Sequence, residues 1–318
     1  MELPSGSNFV HTAQWGGQLM AFASDRSRAM LFGAGIASLL LLFNRPLLTV
    51  FRLAWSTDEY THILLVLPVS LGLIYFEGRG KSFAAKGNLV AGIPLALVAI
   101  VLLGFGFSFP AAGLFLIILG FVLLCLSLVI MVYGGARFVS LLFPLLFLLL
   151  LAPVPIPWLD RAITFLQGAS TELTFLLFRA VGIPVFKNGF VLALPGLQIE
   201  VAKQCSGIRS SLMLLVTALI LGHLFLRTFW GQLAFAALVV PFAVAKNAVR
   251  IFTLSVLGIY VNRGFLEGHL HHDGGIVFFV LALGGLMLVL QGIRWLERPA
   301  SPLPMVTKDF KELNSGVK

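Results

Sequence analysis

The stretch Val201-Ala-Lys-Gln-Cys-Ser-Gly-Ile-Arg-Ser-Ser211 sets a thiol, Cys205, among Lys203, Gln204, Ser206 and Arg209, directly before a long apolar run. A thiol at the first turn of a helix and close to cations is in the setting that favours the thiolate. A thiolate attacks acyl carbons, so the chemistry this stretch could do is covalent acyl transfer. The chain has two cysteines. The second, Cys125, lies inside the apolar run Phe121–Ile130 and reads as a buried hydrophobe. Two cysteines support neither a disulfide framework nor a zinc site.

A nucleophilic cysteine needs a base and a group that holds developing negative charge. Arg250 follows Lys246 and Asn247 inside an otherwise apolar run from Leu233 to Tyr260. An ionisable residue within a span is expensive in lipid and marks a functional site by default. The five donors of arginine suit an oxyanion or a carboxylate, and a structural bridge to Asp58, Glu59 or Glu200 is the alternative role. The loop Gly268-His-Leu-His-His-Asp-Gly-Gly275 offers His269, His271 and His272. No HExxH-type spacing accompanies them, so a general base for Cys205 is the better reading than a metal site, and a polar exit loop is the bland one. Asp58-Glu-Tyr-Thr-His62, followed by Pro68, opens an apolar run and could orient such groups or form an interfacial belt through Tyr60. His11 and His223 read as incidental.

The elements that must position these residues are membrane helices. Of 318 residues, 59% are hydrophobic and 11% charged, with a mean hydropathy of +1.00. A soluble domain carries roughly a quarter charged residues. Apolar runs at about 29–49, 60–77, 88–109, 111–133, 138–153, 207–226, 228–250 and 274–293, with a short apolar piece at 251–261, predict an all-α polytopic membrane protein of about eight transmembrane helices. Whether 228–261 is one helix or two stays open. The net charge of +9 therefore concerns topology and anionic lipid, and basic patches interleaved with aromatics, the footprint of nucleic-acid binding, are absent. Residues 1–28 read as a cytoplasmic N-terminal segment without a cleavable signal, 29–293 as the transmembrane domain and 294–318 as a cytoplasmic tail.

With a cytoplasmic N-terminus and eight crossings, twelve Lys and Arg residues face the cytoplasm and seven face outward, while Arg209, Lys246 and Arg250 lie in or at the edge of spans. The bias has the sign of the positive-inside rule. In that topology Cys205, the 262–273 loop and Arg250, near the outer end of its span, share the outer face. The segment 152–204 reads as a cap over that face. Pro153, Pro155 and Pro157 end the fifth span. A helix capped by Asp160 runs to about Ala180 and lies in the interface, because Arg161, Glu172 and Arg179 are costly in lipid. Turn signals at Lys187-Asn-Gly189 and Pro195-Gly196 frame two short strands, Phe190–Leu194 and Leu197–Val201, forming a β-hairpin that ends at Cys205.

Four pieces, in their order and spacing along the chain, resemble the exosortase/archaeosortase family of membrane-embedded cysteine proteases and transpeptidases. They are Cys205-Ser-Gly-Ile-Arg209, Asn247-Ala-Val-Arg250, His271-His-Asp-Gly-Gly-Ile-Val-Phe-Phe279, and Asp58-x-Tyr60-x-His62 with Pro68, where Thr61 and Ile63 replace the family's Ser and Gly. The resemblance covers roughly residues 30–293. It implies a triad of Cys205 as nucleophile, Arg250 as stabiliser of the oxyanion or bound backbone, and His271 as base, with His272 as the competing assignment. It implies supporting roles for Asn247, Arg209, Ser206, Asp58, Tyr60 and His62. It also implies cleavage of C-terminal sorting signals of the PEP-CTERM kind on exported, membrane-anchored proteins at the outer face of the cytoplasmic (inner) membrane. Transfer to an envelope acceptor would follow, with no cofactor and no metal. The alternatives are a transporter or an envelope or exopolysaccharide assembly scaffold without covalent chemistry, for which no inverted repeat is found, and a lipid-linked glycan transferase, for which acidic groups are thin.

Overall fold

The computed structural model describes residues 25–79, 87–109, 112–201, 207–261 and 275–297. The chain divides into two compact units, residues 1–213 and 214–318.

In the first unit, α1 (Asp25–Leu42) and α2 (Asn44–Ser56) meet at a 71° bend. Pro46 sits in the first turn of α2, where a missing N–H is harmless inside the new helix but cannot continue the old one. A 3₁₀ turn, Asp58–Tyr60, leads into α3 (Ile63–Gly78). Next come α4 (Leu89–Ser108) and α5 (Gly113–Tyr133), followed by the short α6 (Gly135–Ser140), α7 (Leu142–Phe147) and a 3₁₀ turn, Leu148–Leu151. In lipid, apolar side chains gain little by leaving one apolar solvent for another, so helices associate through close packing and polar contacts. The α4–α5 pair shows both. A Cβ added at Gly113 would lie 2.7 Å from the Gly106 carbonyl oxygen, and buried Ser127 donates to the Gly92 carbonyl at 2.9 Å. Leu41, Leu42, Val90 and Leu97 point outward, as lipid-facing residues do.

The cap differs in useful detail from its sequence reading. Helix α8 (Ile156–Ala180) starts four residues before Asp160 and lies at 97° to the helical segment 142–151. Pro155 precedes it and Pro157 occupies its first turn, so Asp160 is not its cap. Its buried stripe is Ile163, Leu166, Gln167, Ser170, Thr171, Thr174 and Phe178, at helical spacing, while Phe165 and Leu176 are exposed. The buried stripe mixes apolar and polar residues, and the exposed side mixes Phe165 and Leu176 with Arg161, Glu172 and Arg179, the pattern of a helix packed on protein along one side. The expected two strands are three: β1 (Phe186–Asn188), β2 (Val191–Leu194) and β3 (Leu197–Glu200), antiparallel in that order. Asn188 pairs with Val191, and Leu194 with Leu197, leaving two-residue turns at 189–190 and 195–196. Gly189 (φ +58°) and Gly196 (φ +74°) take the left-handed values those turns need.

Helix α9 (Ile208–Phe225) crosses from the first unit to the second. The second unit continues with α10 (Phe229–Ala237), α11 (Val239–Tyr260) and α12 (Gly275–Leu296). The α10–α11 break at Leu238 follows from Pro241 in the first turn of α11. The region whose helix number the sequence left open is thus two helices that follow one another within a single 32-residue candidate span. Leu214, Ala218, Leu226, Phe235 and Val239 pack with Ala282, Leu286 and Leu290 as its core. Six helices among the described residues are long and apolar enough to cross a membrane, or eight if each bent pair is one span. The protein is an all-α polytopic membrane protein with a small sheet.

Candidate active site

The first element that carries site residues is the 3₁₀ turn Asp58–Tyr60, and Asp58, Tyr60 and the following His62 each have a defined partner. Tyr60 is buried and its hydroxyl donates to the Val154 carbonyl at 2.8 Å, tying the start of α3 to the proline-rich bend before α8. His62 is buried and its Nδ1 lies 3.2 Å from the Glu59 carbonyl oxygen, closing the turn from within. Asp58 points outward, and its Oδ1 accepts from Arg209 Nη1 at 2.7 Å across 151 residues of sequence. The early acidic element and the helix that follows Cys205 are therefore in contact.

Beside this turn lies a cavity of about 440 Å³. Leu53, Phe115, Pro153, Pro155, Ile156, Leu159 and Ile163 make it largely apolar, and Glu59 and Asp160 bring two carboxylates to its lining.

The segment that carries the thiol is bracketed by well-defined anchors. On its entry side Val201 is buried, its N–H donates to the Phe190 carbonyl at 3.0 Å, and its own carbonyl accepts from the Gln167 side-chain amide. On its exit side Gly207 has φ +71°, a left-handed value at which a Cβ would be strained. Its carbonyl receives the Ser211 N–H at 2.9 Å and the Ser210 and Ser211 hydroxyls at 3.0 and 2.8 Å. Cys205, Ser206, His271 and His272 themselves lie outside the described residues. Helix α9 begins at Ile208.

Arg250 and Asn247 belong to the second unit. They lie on α11 with Lys246 one turn before Arg250, and Lys246 and Asn247 are buried, at 8% and 1% exposure. The helix runs on to Tyr260. Arg250 is thus ten residues, about 15 Å, from the helix end. Two cations and an amide on the inward stripe of an apolar helix form a donor-rich surface suited to a carbonyl or carboxylate oxygen.

Gln167 is the residue that sequence reasoning passed over. The signal was present: Gln167, Ser170, Thr171 and Thr174 are polar residues at helical spacing in an apolar helix. What the spacing did not contain is the partner. Among the described residues no His, Cys, Asp and Glu side chains come together in a group that could hold a metal ion.

The family model described as transmembrane exosortase matches residues 55–288. No curated protein matches the chain. No solved structure matches it either.

Proposed function

From the premise that this chain belongs to the transmembrane exosortase family, a family of membrane transpeptidases, we propose that it is a cysteine transpeptidase that processes C-terminal sorting signals of exported, membrane-anchored proteins. The observation that carries this reading is the reach of the family match. Asp58, Tyr60, His62, Cys205, Arg209, Asn247, Arg250 and His271 all fall within its bounds, residues 55–288.

In the proposed reaction the Cys205 thiolate attacks the scissile carbonyl carbon of the substrate. The carbonyl oxygen gains the electron pair, and Arg250 stabilises that negative charge, with Asn247 beside it. His271 gives its proton to the leaving amine as the C–N bond breaks, leaving a thioester on Cys205. An amine or hydroxyl acceptor, or water, then attacks the thioester carbonyl and loses its proton to His271. The thiolate departs, and the new C-terminus leaves on the acceptor. No redox partner and no cofactor enters this balance. Cleavage occurs at the outer face of the cytoplasmic membrane, where the topology read from charge bias puts Cys205 and the histidine loop. The substrate's own transmembrane helix reaches that face beside the bundle.

Co-expression with a membrane-anchored reporter ending in a sorting signal tests this reading. Wild type is expected to shorten the reporter, read by mobility and intact mass, and Cys205→Ala and Arg250→Ala to leave it full length. His271→Ala is expected to be inactive while His272→Ala retains cleavage. Cleavage by Cys205→Ala at the wild-type rate overturns the assignment.

A further inference from the structure

The reading above leaves open what holds the nucleophile in register. The chain between Val201 and Gly207 spans only five residues, and each extended residue covers at most about 3.6 Å. Tethered at both ends, Cys205 can lie at most about 14 Å from Val201 and about 7 Å from Gly207, so the two end peptides bound where the thiol is presented. The exit peptide is held by local bonds around Gly207 and by the Arg209–Asp58 pair. At the entry, strand pairing supplies one bond, from the Val201 N–H to Phe190. The Val201 carbonyl is oriented by a side chain from a different element: the amide nitrogen of Gln167, 34 residues earlier on α8.

We infer that Gln167 is a positioning residue for the Cys205 nucleophile, acting through the Val201 peptide. Several observations converge on it. Gln167 is 5% exposed and Val201 1%, so neither bond partner has solvent to substitute for the other. A buried amide is costly unless it is bonded, and its bond here goes to the last described peptide before the thiol segment. The backbone of α8 at this point is itself braced, because the Thr171 hydroxyl donates to the Gln167 carbonyl at 2.7 Å. Gln167 touches no candidate reacting group. It orients the peptide from which the nucleophile's segment departs, and displacements of about 1 Å at a reacting atom cost about a hundredfold in rate.

This inference rests on the proposed function, and one set of variants separates the two. In a Cys125→Ala background, which leaves a single thiol, the full-length protein is compared with Gln167→Met, Gln167→Glu and Cys205→Ala. Reporter cleavage is measured together with the rate of Cys205 alkylation by a small maleimide against pH. Gln167→Met keeps the side-chain length and removes the donor. It is expected to lower kcat by about tenfold to a hundredfold with KM within about twofold, and to shift the pH profile of alkylation. Gln167→Glu replaces the donating nitrogen by an oxygen and serves where the methionine variant fails to accumulate. Its cleavage rate relative to wild type is expected to rise as pH falls, because a protonated carboxyl donates again. A Gln167→Met protein with wild-type kcat and an unmoved alkylation profile overturns the inference, as does a Gln167→Glu to wild-type ratio that stays flat with pH. If Cys205→Ala cleaves like wild type, the proposed function falls, and the alkylation profile still decides whether Gln167 sets the thiol's surroundings.

Discussion

Asp58→Asn is the perturbation whose outcome the structure constrains most tightly. The carboxylate accepts from Arg209 at 2.7 Å, but the two side chains are 71% and 57% exposed. Two unit charges about 4 Å apart interact by about 1 kcal/mol in water, and exposed pairs measured by double-mutant cycles contribute about 0.2–1 kcal/mol. Asparagine keeps the shape and one acceptor oxygen. The loss of stability is therefore at most about 1 kcal/mol, roughly a fivefold change in the folded-to-unfolded ratio. A protein stable by about 5 kcal/mol stays more than about 99% folded after such a loss. Unfolding cannot then account for a large loss of activity. Releasing Arg209 can, because Arg209 lies two residues after Gly207, at the exit of the thiol segment. The expected result is reporter cleavage reduced by up to about fivefold, with a melting temperature in detergent within about 4 °C of wild type. Arg209→Gln is expected to match it, and the double variant to be no worse than either single one, since the pair acts as a unit. Raising salt from about 0.05 to 0.5 M is expected to slow wild type toward the variants and leave the double variant unmoved. Losses that multiply in the double variant, or a melting drop well beyond that of an exposed pair, would refute the reasoning.

Three further outcomes follow from individual contacts. Tyr60→Phe removes only the hydroxyl bonded to Val154; because the Val154 carbonyl is half-buried beside a cavity, the expected loss is about 1 kcal/mol, seen as a melting shift of about 2–4 °C with cleavage retained. Glu297 accepts from the Thr228 hydroxyl and from the Arg227 and Thr228 N–H groups, and the Thr228 hydroxyl above all holds its carboxyl below the ordinary 4.5. A depressed folded value contributes stability that is full above the unfolded value and is lost as pH falls through the folded one. The melting temperature of wild type is therefore expected to fall more steeply below about pH 4.5 than that of Glu297→Gln. Gly113→Ala would place a Cβ 2.7 Å from a backbone oxygen of α4 and is expected to destabilise by about 1–3 kcal/mol, whereas Gly104→Ala meets nothing within 4 Å and is expected to be neutral or stabilising by up to about 1 kcal/mol, both read by thermal melting.

What the linear sequence shows clearly is whatever depends on local periodicity or on one residue's intrinsic limits. The spans are legible because a helix must satisfy its own backbone in lipid, so each crossing needs an unbroken apolar run of predictable length. The turns at Gly189 and Gly196 are legible because few residues tolerate positive φ. Prolines announce the breaks near 43, 154 and 238, although the bend angles of 71° and 97° come from packing. The extra strand β1 was not legible, because a three-residue strand has too little alternation to stand out and exists by pairing with β2.

By itself, then, the sequence determined the class of protein, the order of its main helices and which residues could carry chemistry. A thiol beside cations, an arginine in an apolar run and a histidine-rich loop are chemical identities that no fold is needed to see. Only the tertiary structure decided which partners the polar residues around them take. Arg209 could have paired with any of several acids, and it pairs with Asp58. Gln167 could have been one more polar residue on a helix, and it holds the Val201 carbonyl. Arg250 could have stood at the end of its helix, and α11 continues beyond it to Tyr260. The physical reason is common to all three. Periodicity reports which face a residue occupies, but a contact between residues 34, 94 or 151 positions apart depends on how helices bend and pack, and that information is spread over every residue at the interface.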